Sequence, residues 1–338
     1  MQDRDWFIPC LGLTLLTTGI ALWFIPALDG LLPALRILPA WMASAGLIAL
    51  SGAMASMMCQ GVKQPISALR THVRNDSGKI ASMGVFMLLA GMNLIAFMWM
   101  KPLLNYFVPF TADPLLANID HVLFLGHDPW TLVSWMSFPA AGLIYHPAWF
   151  VLMIVALLRT AAAPPSPEKS AVLLGYFVLW SLVGPAIHTM IPAAGPIFFE
   201  RLDYGPRFAS LDSGPETKAV ADYLWSIYST GSFGAGSGIS AMPSMHVTIS
   251  SWTVIAFNFF VPRWRGVAVL GWVVIFLMSI ALGWHYACDG IVGAIAALAC
   301  HFALLRLFRT APSFASALFP SRQKLRGLPQ PSVSRAAE

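Results

Sequence analysis

The sequence predicts an all-α, polytopic membrane protein of about eight transmembrane helices. Three observations predict it. Of 338 residues, 57% are hydrophobic and only 10% charged, against about 25% charged in soluble domains. Mean hydropathy is +0.70. Apolar runs long enough to cross a hydrocarbon layer of ~30 Å recur along the chain. A net charge of +5 does not point to nucleic acid, because the basic residues are spread over short loops and a tail instead of forming one patch. Cys10, Cys59, Cys288 and Cys300 lie in or beside apolar runs with no ligand spacing. They read as small buried side chains, not as a disulfide framework or a zinc site.

In chain order, hydropathy places spans near residues 6–28, 38–59, 80–100, 138–158, 170–191, 245–262, 266–284 and 290–308. The start has neither the basic region nor the small-residue cleavage site of a secretory signal, so its apolar run reads as a retained span. Residues 1–60 are thus two added helices, 80–309 a six-helix core, and the Pro-, Ser- and Arg-rich 310–338 a disordered cytoplasmic tail. With the amino terminus in the cytoplasm, 15 of the 20 Lys and Arg residues fall inside, and that bias sets the orientation. Arg36, Lys101, Arg201, Arg207 and Lys218 remain outside. Outside too lie the segment from Lys101 to Trp135, read as an interfacial helix between turns, and the long polar loop from Ile191 to Met242.

Two polar motifs stand at the edges of apolar runs: Pro243-Ser244-Met245-His246 and His285-Tyr286-Ala287-Cys288-Asp289. The histidines are 39 positions apart, which at about 1.5 Å per residue is roughly two crossings. The second histidine therefore returns to the first one's face. On a helix, His285 and Asp289 share a side, so the carboxylate can accept a proton from one imidazole nitrogen and leave the other free as nucleophile or base. Ser244 sits where a helix begins and backbone N–H groups lack partners, a place that suits a phosphate, and the glycines from Gly231 to Gly238 allow close backbone approach. The bland alternatives are a His and Asp that satisfy each other in a bundle, and an ordinary helix start. A proton-relaying transporter or channel built on His246, His285 and Asp289 is a second functional class. A metal hydrolase has little support, because no His-Glu-x-x-His or further ligand cluster is present.

Ala241-Met-Pro-Ser-Met-His246 followed by His285-Tyr-x-x-Asp289 resembles the type 2 phosphatidic acid phosphatase (PAP2) superfamily, in the branch near the inositol phosphorylceramide synthases. Pro192-Ala-Ala-Gly-Pro-Ile-Phe-Phe-Glu200 is similar to the Ala-Gly-Pro stretch of that branch. The resemblance spans about residues 110–308 and implies a six-helix core formed by the third to eighth spans. It implies that His285 attacks phosphorus to give a phosphohistidine, that Asp289 orients it, that His246 serves as general acid and then base, and that Ser244 binds phosphate oxygens. No cofactor and no metal are implied. The implied partners are a lipid phosphate or phospholipid substrate and a lipid or polyol hydroxyl as acceptor, handled at the non-cytoplasmic face of a bacterial inner membrane. The superfamily's Ser-Arg pair before the last histidine is replaced by Met278 and Ser279, and its Lys-x6-Arg-Pro motif has no clear match. Arg201 and Arg207 are the expected substitute phosphate cations, with headgroup anchoring as the competing reading. Of the other histidines, His188 alone is placed to line the site; His121, His127, His146 and His301 read as packing or interfacial residues.

Overall fold

A computed structural model describes residues 5–310, and every regular element among them is helical. The elements are α1 (Phe7–Phe24), α2 (Leu31–Leu35), α3 (Ile37–Cys59), α4 (Pro65–Asn75), α5 (Ser77–Phe107), α6 (Asp113–Leu123), α7 (Pro129–Leu132), α8 (Ala141–Ala162), α9 (Pro167–Val178), α10 (Gly184–Met190), α11 (Gly214–Thr230), α12 (Met245–Phe260), α13 (Arg265–Ala281) and α14 (Ala287–Thr310). A π-helical turn, Leu179–Val183, fuses α9 and α10 into one continuous span. The expected tail lies, past Thr310, outside the described residues.

Seven helical segments among the described residues are long and apolar enough to cross a membrane. The chain is a polytopic helical membrane protein. The expected span not among them is the sixth, at 245–262: it is α12, and it is short, 16 residues, or about 24 Å at the helical rise. Most of its length is buried against α8, α9, α13 and α14. Its apolar residues serve the bundle interior, where a helix need not match the full hydrocarbon thickness.

Alternation of direction brings six helix ends to one end of the bundle: the C-terminal ends of α5, α10 and α13, and the N-terminal ends of α8, α12 and α14. The first two spans are not peripheral to that end. α1 packs on α5 and α9, and α3 on α5 and α8. In the link between them, Asp29 Oδ2 accepts from the Phe233 N–H at 3.2 Å, and its carbonyl accepts from Trp99 Nε1 at 2.7 Å.

The interfacial helix α6 is inverted relative to a soluble one. Asp113, Leu116, Ala117 and Asp120 face the protein, while Leu115, Val122 and Leu123 are exposed, as is Leu125 just beyond. An apolar outer face suits a helix lying against the acyl boundary. The inward carboxylates are then free to serve the site.

Candidate active site

A cavity of about 390 Å³ opens among α5, α8, α11 and α12, closed by the glycine-rich loop before α12 and by the turn before α14. Its walls are largely aromatic and aliphatic, with Phe97, Trp149, Trp180 and Trp284 among them. Its polar members are Lys101, His146, Tyr223, Ser240, His246 and His285. An apolar chamber with a few convergent polar groups fits a molecule with a hydrocarbon part and a compact polar part.

His285 lies in the turn between α13 and α14, which Gly283 makes possible at a φ of +76°. Its Nδ1 is 2.9 Å from the Ala241 carbonyl. A carbonyl only accepts, so Nδ1 carries the hydrogen and Nε2 keeps its lone pair. Burial, partly offset by that bond and reinforced by the charges of Lys101 and His146, pulls the His285 imidazolium down to a pKa of about 3. The ring is neutral at physiological pH.

Asp289 does not play the hydrogen-bonding part expected of it. Its Oδ2 is 3.7 Å from His285 Nδ1 and accepts instead from the Tyr286 N–H at 2.8 Å. The four-residue spacing misleads because His285 precedes α14 and the two residues do not share a helix. The other oxygen, Oδ1, is buried without a hydrogen-bond partner among the described residues. Asp289 thus stands beside His285 without a hydrogen bond to it, and the Ala241 carbonyl sets the tautomer.

His246, in the first turn of α12, stands with its ring centroid 6.3 Å from that of His285. Its Nε2 is 3.1 Å from His146 Nδ1 on α8, so one hydrogen is shared between the two rings. Trp149 and Tyr145 rings hold His246 from the sides at 4.6 and 4.8 Å. His146, read from sequence as packing, thus belongs to the cavity. A histidine one residue before a proline in the first turns of an apolar span was the available signal.

Ser244 is not at the cavity wall. It is fully buried as the N-cap of α12, its hydroxyl accepting from the Val247 N–H at 3.4 Å and its own N–H donating to the Asp289 carbonyl at 3.2 Å. The group expected to hold phosphate is thus buried in the cap, away from the cavity. Ser240, four residues earlier, faces the cavity instead.

The expected cations are also elsewhere. Arg201 pairs with Asp222 of α11 at the surface. Arg207 donates from Nη2 and Nε to the Asp128 carboxylate at 2.6 and 3.1 Å, from Nη1 to Asn118 Oδ1 at 2.7 Å and from Nη2 to the Ala117 carbonyl at 2.9 Å. Four of its five N–H donors are engaged in tying α6 to the loop after α10, and neither arginine lines the cavity. The hydrogen bonds from Arg207, with His121 adding to them, hold Asp128 below the usual carboxylate range. That contribution to stability is present at neutral pH and is lost as pH falls through the depressed pKa. Arg207→Met should cost about 1–3 kcal/mol of stability, read by thermal unfolding in detergent, with the deficit shrinking in acid. Lys101, near the C-terminal end of α5, is the one Lys or Arg among the described residues in the cavity wall.

Two carboxylates missed from sequence hold the His285 turn in place. Asp113 accepts from the Ala194 N–H at 2.9 Å, from the Gly195 N–H at 2.8 Å and from the Tyr286 hydroxyl at 3.0 Å. Asp120 accepts from the N–H groups of Ala287 and Cys288 at 2.6 and 2.9 Å. Burial raises both pKa values, and the N–H donors partly counter it. Gly195, at a φ of +106°, passes against the Trp284 backbone where a Cβ would collide. Asp113 and Asp120 are seven residues apart, hence on one side of α6, and that polar pair in an apolar helix was the readable sign. His188, expected at the cavity wall, lies one layer behind it, hydrogen-bonded to Ser240. Among the described residues no group of three or more His, Cys, Asp or Glu is placed to hold a metal ion.

Comparison with known proteins gives a family match, while no curated protein and no solved structure matches the chain. The family model, described as the PAP2 superfamily, matches residues 115–303. That stretch begins in α6, takes in the buried Asp120 and the interlocked turns, and contains both histidine motifs, while Lys101 and Asn105 on α5 precede it. With more than half of its length accounted for in this way, the chain belongs to the PAP2 superfamily.

Proposed function

We propose that the protein is an integral membrane lipid phosphate phosphotransferase or phosphatase that works through a phosphohistidine on His285, at the non-cytoplasmic face. The observation that carries the reading is the His285 tautomer. Nδ1–H is committed to the Ala241 carbonyl, so a neutral Nε2 lone pair is available beside an amphipathic cavity.

In the first step Nε2 attacks phosphorus, the bond from phosphorus to the leaving oxygen breaks, and His246 supplies that oxygen's proton. The phosphorylated ring retains Nδ1–H and is therefore cationic. The Ala241 carbonyl and the Asp289 carboxylate, 3.7 Å away, stabilise that charge. In the second step an acceptor hydroxyl gives its proton to His246 and attacks phosphorus, the P–N bond breaks, and His285 returns to its neutral form. The His146–His246 pair is the reservoir through which the proton leaves and returns.

Water as acceptor gives a phosphatase, and a lipid or polyol hydroxyl gives a headgroup transferase. Transfer from a phospholipid is the better match to the cavity wall. With Lys101 its sole Lys or Arg and no carboxylate in it among the described residues, the wall suits the single charge of a phosphodiester more than the dianion of a phosphomonoester. The synthase-like motif pattern, His-Tyr-x-x-Asp, leans the same way. The test supplies detergent-purified protein with phospholipid donors and hydroxyl acceptors, in parallel with lipid mono- and pyrophosphates. His285-dependent headgroup exchange is expected to exceed phosphate release. Phosphate release from monoesters alone would make the protein a hydrolase, and turnover retained in both His246→Ala and His285→Ala would overturn the reading.

A further inference from the structure

Behind the cavity wall lies a buried polar chain that the two-histidine chemistry does not use. Asn105, on the last turns of α5, accepts from the Ile239 N–H through Oδ1 at 2.8 Å and donates through Nδ2 to the Ile239 carbonyl at 2.7 Å. Those two backbone partners fix the orientation of its amide, since an N–H only donates and a carbonyl only accepts. The same Nδ2 is 3.2 Å from His188 Nε2. A donor facing Nε2 requires a lone pair there, so the hydrogen of the neutral ring sits on Nδ1. Nδ1 in turn is 3.1 Å from Ser240 Oγ. With no lone pair on Nδ1, Ser240 Oγ can only accept on this side, sharing the ring with the Met242 carbonyl, and its own hydroxyl proton is turned away from the relay. Asn105 and His188 are both buried, whereas Ser240 lines the cavity. No other protein acceptor among the described residues takes the Ser240 proton.

The same loop brings the cation. Gly238, two residues before Ser240, has a φ of +94°, and a Cβ there would lie 2.9 Å from Lys101 Cγ and 3.0 Å from Pro102 N. The loop backbone is thus pressed onto the Lys101 stem. Lys101 makes no ion pair among the described residues, although its charge acts on His285 across the cavity.

We propose that Ser240 and Lys101 form the subsite that binds the phosphoryl oxygens, with Asn105 and His188 as positioning residues that aim the Ser240 hydroxyl. The subsite takes a tetrahedral phosphoryl anion, with one neutral donor and one cation on neighbouring walls. It deepens the phosphotransfer reading and rests on it for the identity of the substrate. It draws on α5 and the glycine-rich loop, and not on Ser244, Arg201 or Arg207. Because the relay is complete without a ligand, the hydroxyl is already oriented when the substrate arrives.

Two readouts on the full-length chain separate this inference from the reading beneath it. The first is independent of turnover: protection against thermal unfolding by orthovanadate, with Lys218→Gln, an exposed charge on α11, as the control for bulk charge. Ser240→Ala and Lys101→Met should each need at least about tenfold more vanadate for the same protection, as loss of a charge-assisted bond implies. Lys218→Gln should match the wild type. The second is steady-state transfer. Ser240→Ala should raise KM about tenfold or more, and His188→Leu should reproduce it. The double variant should be no worse than either single one, because both remove the same donor. His188→Asn, which keeps an N–H near the Nδ1 position, should restore most of the loss. Vanadate protection that is absent in the wild type, or unchanged in Ser240→Ala, would overturn the subsite. Additive losses for His188→Leu and Ser240→Ala would overturn the relay. Loss of His285-dependent turnover alone, with Ser240-dependent vanadate protection intact, would instead overturn the phosphohistidine reading.

Discussion

His285→Ala is expected to lower turnover by about 10⁴-fold or more, with a loss of stability no larger than about 1–3 kcal/mol. In the proposed mechanism its Nε2 supplies the attacking lone pair, while the other two histidines of the cavity wall, His146 and His246, are paired with each other. The His285 imidazole is almost wholly buried and makes one hydrogen bond, to the Ala241 carbonyl. Removing it leaves one backbone acceptor unsatisfied, a cost of about 1–3 kcal/mol, in part recovered by water entering the cavity. Direct assay of turnover, paired with an unfolding midpoint in the same detergent, separates the two effects. The pH profile adds a sign. Burial depresses the imidazolium to about 3, so the acid limb that reports protonation of His285 should lie far below the usual imidazole range. The neutral ring's contribution to stability is present above the unfolded value and is lost as pH falls towards the folded one.

Asp120→Asn is expected to be the most damaging change that touches no reacting atom: about 100-fold or more in turnover and about 1–3 kcal/mol in stability. The carboxylate accepts from two successive N–H groups, Ala287 and Cys288, at the start of α14. An amide offers one oxygen and sets an NH₂ against the second donor. His285 stands two residues before Ala287, so any slip of this helix start moves Nε2. The helix end also carries partial positive charge, which favours the ionised carboxyl that burial penalises. With its pKa raised in the fold, Asp120 takes up a proton at higher pH than an exposed carboxyl does. Activity that needs both acceptor oxygens falls through that range, while the energetic penalty of the buried charge is relieved. Kinetics and unfolding midpoints recorded from pH 4 to 8 test the opposing signs. An Asp120→Asn enzyme with wild-type turnover would remove α6 from the account.

Hydropathy alone located nearly every long helix to within a few residues, because lipid imposes a length and an apolar composition on each span. α12 departs from that rule because neighbours, not lipid, surround it. The motif pair was readable for a similarly local reason: His246 and His285 sit at helix starts two crossings apart, and two crossings return a chain to one face. What could not be read was pairing across distance. Asp289 is four residues from His285, yet Tyr286 takes its oxygen and Ala241, from 44 positions away, sets the imidazole. Ser244 and Arg207 have the residue types that phosphate binding calls for, but local demands claim them first: a helix cap for one, and Asp128 with Asn118 for the other. Lys101 and Ser240 gain their places only through packing of α5 and the glycine-rich loop, which no spacing along the chain encodes.

The most direct measurement is chemical trapping of the enzyme during turnover. Purified protein is mixed with a phospholipid labelled in its phosphate, without added acceptor, then quenched in base and digested. A phosphoryl group stable to base, labile to acid, carried by the peptide that contains His285 and absent from His285→Ala is the result this mechanism predicts. Turnover of the same substrate with no such adduct at any quench time, or with the label on another residue, would contradict it.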